Sequence, residues 1–130
     1  MVNDRISNLI NCLKTASVAK KETAVVPSSE MIESILEVLK KEKFINDFSV
    51  VKDGARKNVV INLKYENGEP VISDVKRISR TSKRIYRGKN YIQPVRRGYG
   101  ASVVTTPLGV ISGAEAKKKG VGGEVLFEIW

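Results

Sequence analysis

The chain lacks several residues and segments that many functions need, and each absence narrows what it can do. It has no histidine, which excludes His-based triads and dyads and the common zinc sites. A single cysteine, Cys12, excludes an intrachain disulfide and is typical of a reducing compartment. No apolar run approaches the roughly 20 residues of a membrane helix, and the N-terminus lacks a signal peptide's apolar core. The glycines form neither a Walker loop nor a dinucleotide fingerprint. We therefore predict no enzyme, no metal, no cofactor and no membrane partner, in a cytosol-like compartment.

Acidic residues are missing from one long stretch. The 130-residue chain has a net charge of +9, yet residues 1–74 hold eleven bases and eleven acids, and residues 115–130 hold three of each. The excess therefore lies between Val75 and Ala114, which contain no Asp or Glu. The nine bases there are Lys76, Arg77, Arg80, Lys83, Arg84, Arg87, Lys89, Arg96 and Arg97. A basic surface attracts polyanions by releasing their counterions, so a nucleic-acid partner is favoured. The alternative, an ordinary solvated basic face, would scatter acids among the bases.

Tyrosines are interleaved with these bases. The rings of Tyr86, Tyr91 and Tyr99 can stack on exposed nucleobases while neighbouring cations hold phosphates. Alternatively, the rings pack a small sheet and expose only their hydroxyls. The bases next to Tyr86 that we expect to hold phosphates are Lys83, Arg84 and Arg87.

The first half of the chain predicts an α-β-α-β-β order. Apolar residues recur at helical spacing in two segments and alternate with polar residues in others. Asp4 is placed to cap the first helix, and Ser28 or Ser29 the second, where Glu30 suits the positive end of the dipole. Met31 belongs to the predicted buried stripe of that second helix. The predicted helices cover residues 4–17 and 29–42, and the strands 22–26, 44–52 and 58–65.

The second half is richer in strands. Ser112 and Glu115 form a capping-box pattern for one short helix, which Gly120 ends. Turn formers at 66–70 mark the boundary between two lobes, 1–66 and 67–130. The fold class is therefore α+β, with two small α/β lobes of which the second is β-rich. Its predicted strands lie near 71–78, 84–91, 101–106 and 124–130.

One segment, residues 103–124, predicts an exposed loop that offers its backbone to a ligand. Thr105 and Thr106 are adjacent hydroxyls, a Pro-Leu-Gly turn ends at Gly109, and Gly122 and Gly123 close the segment. Short hydroxyl side chains and bare N–H groups reach RNA base edges and 2′-hydroxyls without bulk. A structural alternative remains, in which the threonines end a strand and the glycines form a bulge before the last strand.

Taken together, these segments resemble the bacterial small-subunit ribosomal protein eight (S-eight) family along nearly the whole chain. The most specific match is "TTPLGVISGAEAKKKGVGGE" at 105–124, where the family carries Ser-Thr-Ser-x-Gly and ends in Gly-Gly-Glu. The other matches are Asp4 before an Ile/Leu-striped helix, Val26-Pro27-x-Ser29, "LKKEKFI" at 39–45, "LKY" at 63–65 and "VKRISR" at 75–80.

The resemblance implies a structural ribosomal protein that binds the central domain of small-subunit rRNA and supports assembly of the platform. It implies an RNA helix with a bulged core as the target, neighbouring small-subunit proteins as partners, and a place in the ribosome, in the cytoplasm or in an organelle's stroma or matrix. It also implies repression of the protein's own operon messenger in some members. A small phosphate-ester enzyme with a basic pocket is the rival from another class.

By position, the resemblance assigns RNA contacts to several residues, with two departures. Pro107 stands where the family has a third hydroxyl, and it has neither that hydroxyl nor a backbone N–H. Glu30 stands where many members have Lys, which weakens phosphate attraction there. The main loop comprises Thr105, Thr106, Pro107, Gly109, Gly122, Gly123 and Glu124, with Tyr86 beside it and Ser29, Glu30 and Asp4 in the N-terminal lobe.

Overall fold

The computed structural model describes residues 5–80 and 82–130, and its contacts divide the chain into two compact units, Met1–Ser73 and Asp74–Trp130. Helices and antiparallel sheets make it α+β, which confirms the predicted fold class. The expected boundary at 66–67 falls in the turn of a small hairpin, β4 (Tyr65–Glu66) and β5 (Glu69–Pro70), which groups with the first unit. The predicted cap Asp4 lies outside the described residues.

The first unit begins with the predicted α-β-α-β-β order, built around a three-stranded antiparallel sheet. The strands lie in the order β1–β3–β2, and each pairs along most of its length. Val59, Ile61 and Leu63 of β3 are buried, so one face of the sheet carries the core. The elements are α1 (Arg5–Val18), β1 (Thr23–Pro27), α2 (Glu30–Lys41), β2 (Ile45–Asp53) and β3 (Arg56–Leu63).

Of the two serines that the sequence offered as the cap of helix α2, the structure selects the second. Ser29 is the N-cap, and its hydroxyl oxygen accepts the Ile32 N–H at 3.2 Å. The Ser28 hydroxyl donates to the Glu33 carboxylate at 3.0 Å, which holds the first turn from outside. The predicted stripe is buried except for Met31, which is 40% exposed, so that assignment was wrong. The buried members are Ile32, Ile35, Leu36 and Leu39.

The last strand, β10, is the centre of the second unit. Strands β6 and β7 pair with opposite halves of one of its edges, and β8 pairs with the other edge and carries β9 beyond it. Two strands are shorter than predicted, and β9 lies where the sequence predicted only a loop. The elements are β6 (Val75–Arg77), β7 (Tyr86–Arg87), a 3-10 helix (Val95–Gly98), β8 (Ala101–Thr106), β9 (Gly109–Ser112), α3 (Gly113–Lys119) and β10 (Gly123–Ile129).

A short basic loop connects β6 and β7, and its described residues are 79–80 and 82–85. The buried Ser79 closes it, because its hydroxyl donates to the Ile85 carbonyl at 3.2 Å and accepts the Ile85 N–H at 2.8 Å. Arg80 and Lys83 form an antiparallel bridge above this closure. Most of the shortening of the predicted strands at 71–78 and 84–91 lies away from this loop, since residues 71–74 and 88–91 are outside β6 and β7.

Helix α3 confirms its capping signals. The Ser112 hydroxyl accepts the Glu115 N–H at 3.2 Å, and Gly120 ends the helix in the left-handed region with φ of 71°. Ala116, in the middle of the helix, is fully buried.

Two glycines allow β10 to lie between its neighbours. A β-carbon on Gly123 would overlap the carbonyl oxygen of Thr105 on β8, and one on Gly122 would overlap that of Arg87 on β7. The bulge that the sequence suggested at these glycines occurs instead between Val125 and Phe127. The glycines are therefore needed for close backbone approach.

Gly123→Ala is expected to lower the free energy of unfolding by roughly 1–3 kcal/mol, because backbone atoms of β8 must move to admit the methyl group. Gly88→Ala is the matched control, since its β-carbon would lie 3.6 Å from Tyr91 Cδ2 in ordinary contact. It should change stability by no more than about 0.5 kcal/mol. Urea unfolding followed by fluorescence of Trp130, the single tryptophan, reports on this unit. Equal midpoints for both variants would show that the strands separate freely at Gly123.

Candidate nucleic-acid interface

Four strands of the second unit meet in one row of side chains at their ends. Glu124 of β10 lies opposite Tyr86 of β7 on one side and Thr105 of β8 on the other. Thr105 in turn lies opposite Val110 of β9. Directly paired residues present their side chains on the same face of a sheet. These four residues, the strand-end row, therefore form a continuous surface roughly 14 Å wide, at about 4.8 Å per strand spacing.

The outer surface of the row is aromatic and hydroxylic rather than acidic. The Tyr86 ring is 68% exposed, which decides against the alternative in which this tyrosine packs the sheet. Thr105 and Val110 are half-buried, and Glu124 is only 8% exposed. A ligand laid across the row meets the ring and the hydroxyl before it meets the carboxylate.

Arg84 of the basic loop compensates the buried carboxylate. Its Nη1 atom lies 3.4 Å from both oxygens of Glu124, and the arginine side chain stays 56% exposed. Removing a charge from water is costly unless an opposite charge accompanies it. The pair therefore leaves the row without net negative charge and keeps part of the guanidinium available to solvent. Forty residues separate the partners, and no sequence spacing predicts their contact.

The hairpin turn beside the row is stabilised by a threonine side chain. The Thr106 hydroxyl donates to the Gly109 carbonyl at 2.8 Å and accepts the Leu108 N–H at 3.1 Å. The donor and one lone pair are thus used inside the turn, and one lone pair remains. The structural alternative for this threonine, that it ends a strand, describes its position correctly, since β8 ends at Thr106.

Pro107 explains the position of the glycine in this turn. Proline holds φ near −65°, so the two-residue turn cannot take the primed form that usually joins hairpin strands. The positive φ occurs instead at Gly109, where it is 112°. Pro107 and Gly109 are exposed, so the backbone of the turn is accessible.

The predicted cations lie around the row but not all on one face. Lys83 and Arg84 are exposed on the basic loop, together with Arg80, which the site prediction omitted. Arg87 is also exposed, but it follows Tyr86 in β7, and successive residues of a strand point to opposite faces. Arg87 therefore belongs to the other side of the sheet.

Three predicted residues are not in the second unit. Ser29 is occupied as the N-cap of α2, Glu30 is exposed in the first turn of that helix, and Asp4 lies outside the described residues. Another residue was missed by the sequence analysis. Leu108 is 60% exposed at the tip of the turn, and its place between Pro107 and Gly109 was the available signal.

The described residues offer little for catalysis. Burial raises the pKa of the Cys12 thiol above its usual value, and the thiol donates to the Val25 carbonyl at 3.7 Å. A raised pKa keeps the thiol protonated and unreactive at neutral pH. Within residues 5–80 and 82–130, no three His, Cys, Asp or Glu side chains come together to hold a metal ion. Over the same residues, none of the helices has the length and apolarity to span a membrane.

A family model and individual relatives match the same protein family over nearly the whole chain. Residues 4–130 match the family model described as Ribosomal protein S8. The small ribosomal subunit protein uS8 of Campylobacter lari is 40% identical, with all of both chains covered. The protein of that name from Nitratiruptor sp. is 39% identical, also over all of both chains, and that from Synechococcus sp. is 38% identical over 99% of this chain and 98% of its own.

These matches argue against the alternative hypothesis of a small phosphate-ester enzyme. The family consists of structural proteins of the small ribosomal subunit, which in bacteria is a cytoplasmic particle. The chain belongs to the ribosomal protein S8 family and is a structural ribosomal protein.

Proposed function

We propose that the chain binds the central domain of small-subunit rRNA through the second unit, at a helix with a bulged core, and so supports assembly of the platform beside neighbouring ribosomal proteins. The observation that carries the proposal is the strand-end row, in which the exposed Tyr86 ring and Thr105 lie on either side of the buried Glu124, whose charge Arg84 neutralises. An uncharged reading surface between exposed cations suits a folded RNA, whose bases must approach closely while its phosphates stay at the rim.

Phosphate contacts come from the basic loop in this proposal. Lys83 and Arg84 are exposed on a segment that the Ser79 hydroxyl holds closed from beneath. A loop ordered before binding gives up little conformational entropy when it meets RNA. These cations position the protein, and they carry no sequence information themselves.

Base and sugar contacts come from the row and the turn. Tyr86 stacks on an unpaired base, Thr105 bonds to a base edge or 2′-hydroxyl, and Thr106 accepts one hydrogen bond with its remaining lone pair. The backbone at Gly109 approaches the RNA closely because no side chain intervenes. Pro107 contributes only packing, since its nitrogen has no hydrogen to donate.

Gly122, Gly123 and Glu124 contribute mainly by arranging the surface. The two glycines bring β7 and β8 against β10, which sets the spacing of Tyr86 and Thr105. Glu124 anchors Arg84 at the edge of the row. In the first unit, Ser29 keeps its hydroxyl proton available for RNA, and Glu30 reduces the attraction of that helix start for phosphate. Asp4 is proposed as a lesser contact on the resemblance alone.

We also propose that the same surface represses translation of the protein's own operon when the messenger folds like the rRNA site. The second unit offers one such row, so ribosomal RNA and messenger must compete for it. Repression then responds to free protein that has not found rRNA.

Footprinting on small-subunit RNA tests the main proposal. Hydroxyl-radical protection is expected at one bulged helix of the central domain, because a row roughly 14 Å wide covers only a few base pairs. Protection spread evenly over many helices would reduce the chain to a non-specific basic protein.

Two variants distinguish the phosphate contacts that position the protein from the base and sugar contacts that recognise the RNA. Lys83→Ala should lower the slope of log affinity against log salt by about one unit, because one phosphate contact is lost. Thr106→Val should cost roughly 1–3 kcal/mol of binding free energy with an unchanged slope, since its turn bonds and acceptor are lost.

Filter binding across a salt series measures both quantities. Lys20→Ala is the matched control, because Lys20 is exposed and already pairs with Glu69 at 3.5 Å within the first unit. Its slope and affinity should equal those of the unchanged protein. Identical slopes for Lys83→Ala and Thr106→Val would refute the division of roles.

Competition tests the repressor proposal. The operon messenger leader should displace the protected rRNA fragment completely, with an inhibition constant equal to its own dissociation constant. Formation of a ternary complex, visible as a slower band in a gel-shift assay, would place the two RNAs on different surfaces.

A further inference from the structure

The face of the second unit opposite the strand-end row contains a cleft of about 210 Å³. Its floor is formed by Ile92, Val125 and Ser102, each at most 7% exposed. Its rim is polar and more accessible. The rim residues are Arg87, Tyr91, Gln93 and Glu128.

Tyr91 forms one wall of the cleft. Its N–H donates to the Gly88 carbonyl at 2.9 Å, which turns the chain back after β7. The ring lies over Gly88, with Cδ2 3.6 Å from the position of a β-carbon there, and it is 70% exposed. An aromatic ring supported on one side and open on the other is a platform on which a flat ligand stacks.

The polar rim of the cleft offers both hydrogen-bond donors and hydrogen-bond acceptors. The Glu128 carboxylate accepts, the Gln93 amide donates and accepts, and the Arg87 guanidinium donates. Glu128 is half-buried and lies opposite Ser102 on β8 and Lys76 on β6. Lys76 on β6 and Arg87 on the rim of the cleft therefore offset its charge, so the carboxylate does not repel an RNA strand.

We propose that this cleft holds one unpaired guanine base of the RNA that the strand-end row binds, an inference that rests on the proposed function. The cleft is smaller than the roughly 300–1,000 Å³ of pockets for drug-sized ligands, which suits a single base. The guanine stacks on Tyr91 above Ile92 and Val125. Its N1–H and N2–H₂ donors face the Glu128 carboxylate, and O6 faces the Gln93 amide.

Continuity with the row explains how one strand of RNA serves both sites. Tyr86 and Arg87 are consecutive in β7, an edge strand, and they point to opposite faces of the sheet. A backbone that crosses this edge presents one nucleotide to Tyr86 and a nearby one to the cleft, with Arg87 on the phosphate between them.

Mononucleotides test the cleft without RNA. GMP titrated into the full-length ¹⁵N-labelled protein should shift the Gln93 side-chain amide and the Ser102 and Val125 backbone amides. Glu128→Gln should abolish the preference of GMP over AMP, which we expect to be roughly tenfold in dissociation constant. Equal shifts with GMP, AMP, CMP and UMP, or none at these residues, would overturn the assignment of guanine.

Affinity for the protected rRNA fragment decides whether the base comes from that RNA. Tyr91→Ala should weaken binding roughly 5- to 100-fold, the loss expected for one base–aromatic stack. Val18→Ala is the control, because Val18 is 86% exposed at the end of α1 in the first unit and belongs to neither the row nor the cleft. It should bind within about twofold of the unchanged protein.

The outcomes distinguish the two proposals. If unchanged protein fails to protect a central-domain helix, the proposed function is lost. If the unchanged protein protects that helix and Tyr91→Ala binds equally well, only the proposal that the cleft binds a base of this RNA is refuted. GMP shifts in the cleft combined with full RNA affinity of Tyr91→Ala would assign the cleft to a free nucleotide and overturn its role in RNA binding.

Discussion

The close approach of three backbones at the start of β10 is the constraint on which the second unit depends. Thr105 and Arg87 place carbonyl oxygens where β-carbons of Gly123 and Gly122 would lie. Only glycine leaves that space, so β7 and β8 can flank β10 in hydrogen-bonding register. The register then places Tyr86, Glu124 and Thr105 side by side. A surface assembled by backbone contacts is rigid, which is an advantage for reading the shape of a folded RNA.

The distribution of charge around this surface favours an RNA ligand in the proposed function. A segment of 40 residues without acids supplies the attraction for a polyanion, but attraction alone does not discriminate among RNAs. Glu124 lies outside that segment in the sequence, but β10 places it between β7 and β8, where it pairs with Arg84. In the proposed function the two tasks are separated by geometry, with cations on the basic loop and uncharged groups on the sheet.

Much of the fold follows from local patterns. Ser29 and Ser112 cap the helices that their sequences indicated, Gly120 ends α3, and alternation identified β3. Local sequence patterns did not predict strand lengths correctly where these depend on pairing between distant segments. Two strands were predicted too long, since residues 71–74 and 88–91 lie outside β6 and β7, whose extent is set by pairing with β10. Strand β9 was missed because its four residues acquire their strand character from pairing with β8.

The sequence by itself determined the class of partner, because charge segregation and the absence of histidine are properties of composition that no folding can change. It also determined which residues gather in the hairpin turn, since Thr106 and Gly109 are close along the chain. Only the tertiary structure decided which face each residue serves. Arg87 looked equivalent to Lys83 and Arg84, yet β7 turns it to the opposite side from Tyr86. Glu124 meets Arg84 across 40 residues for the same reason, because contacts between distant segments are set by strand register and not by spacing along the chain.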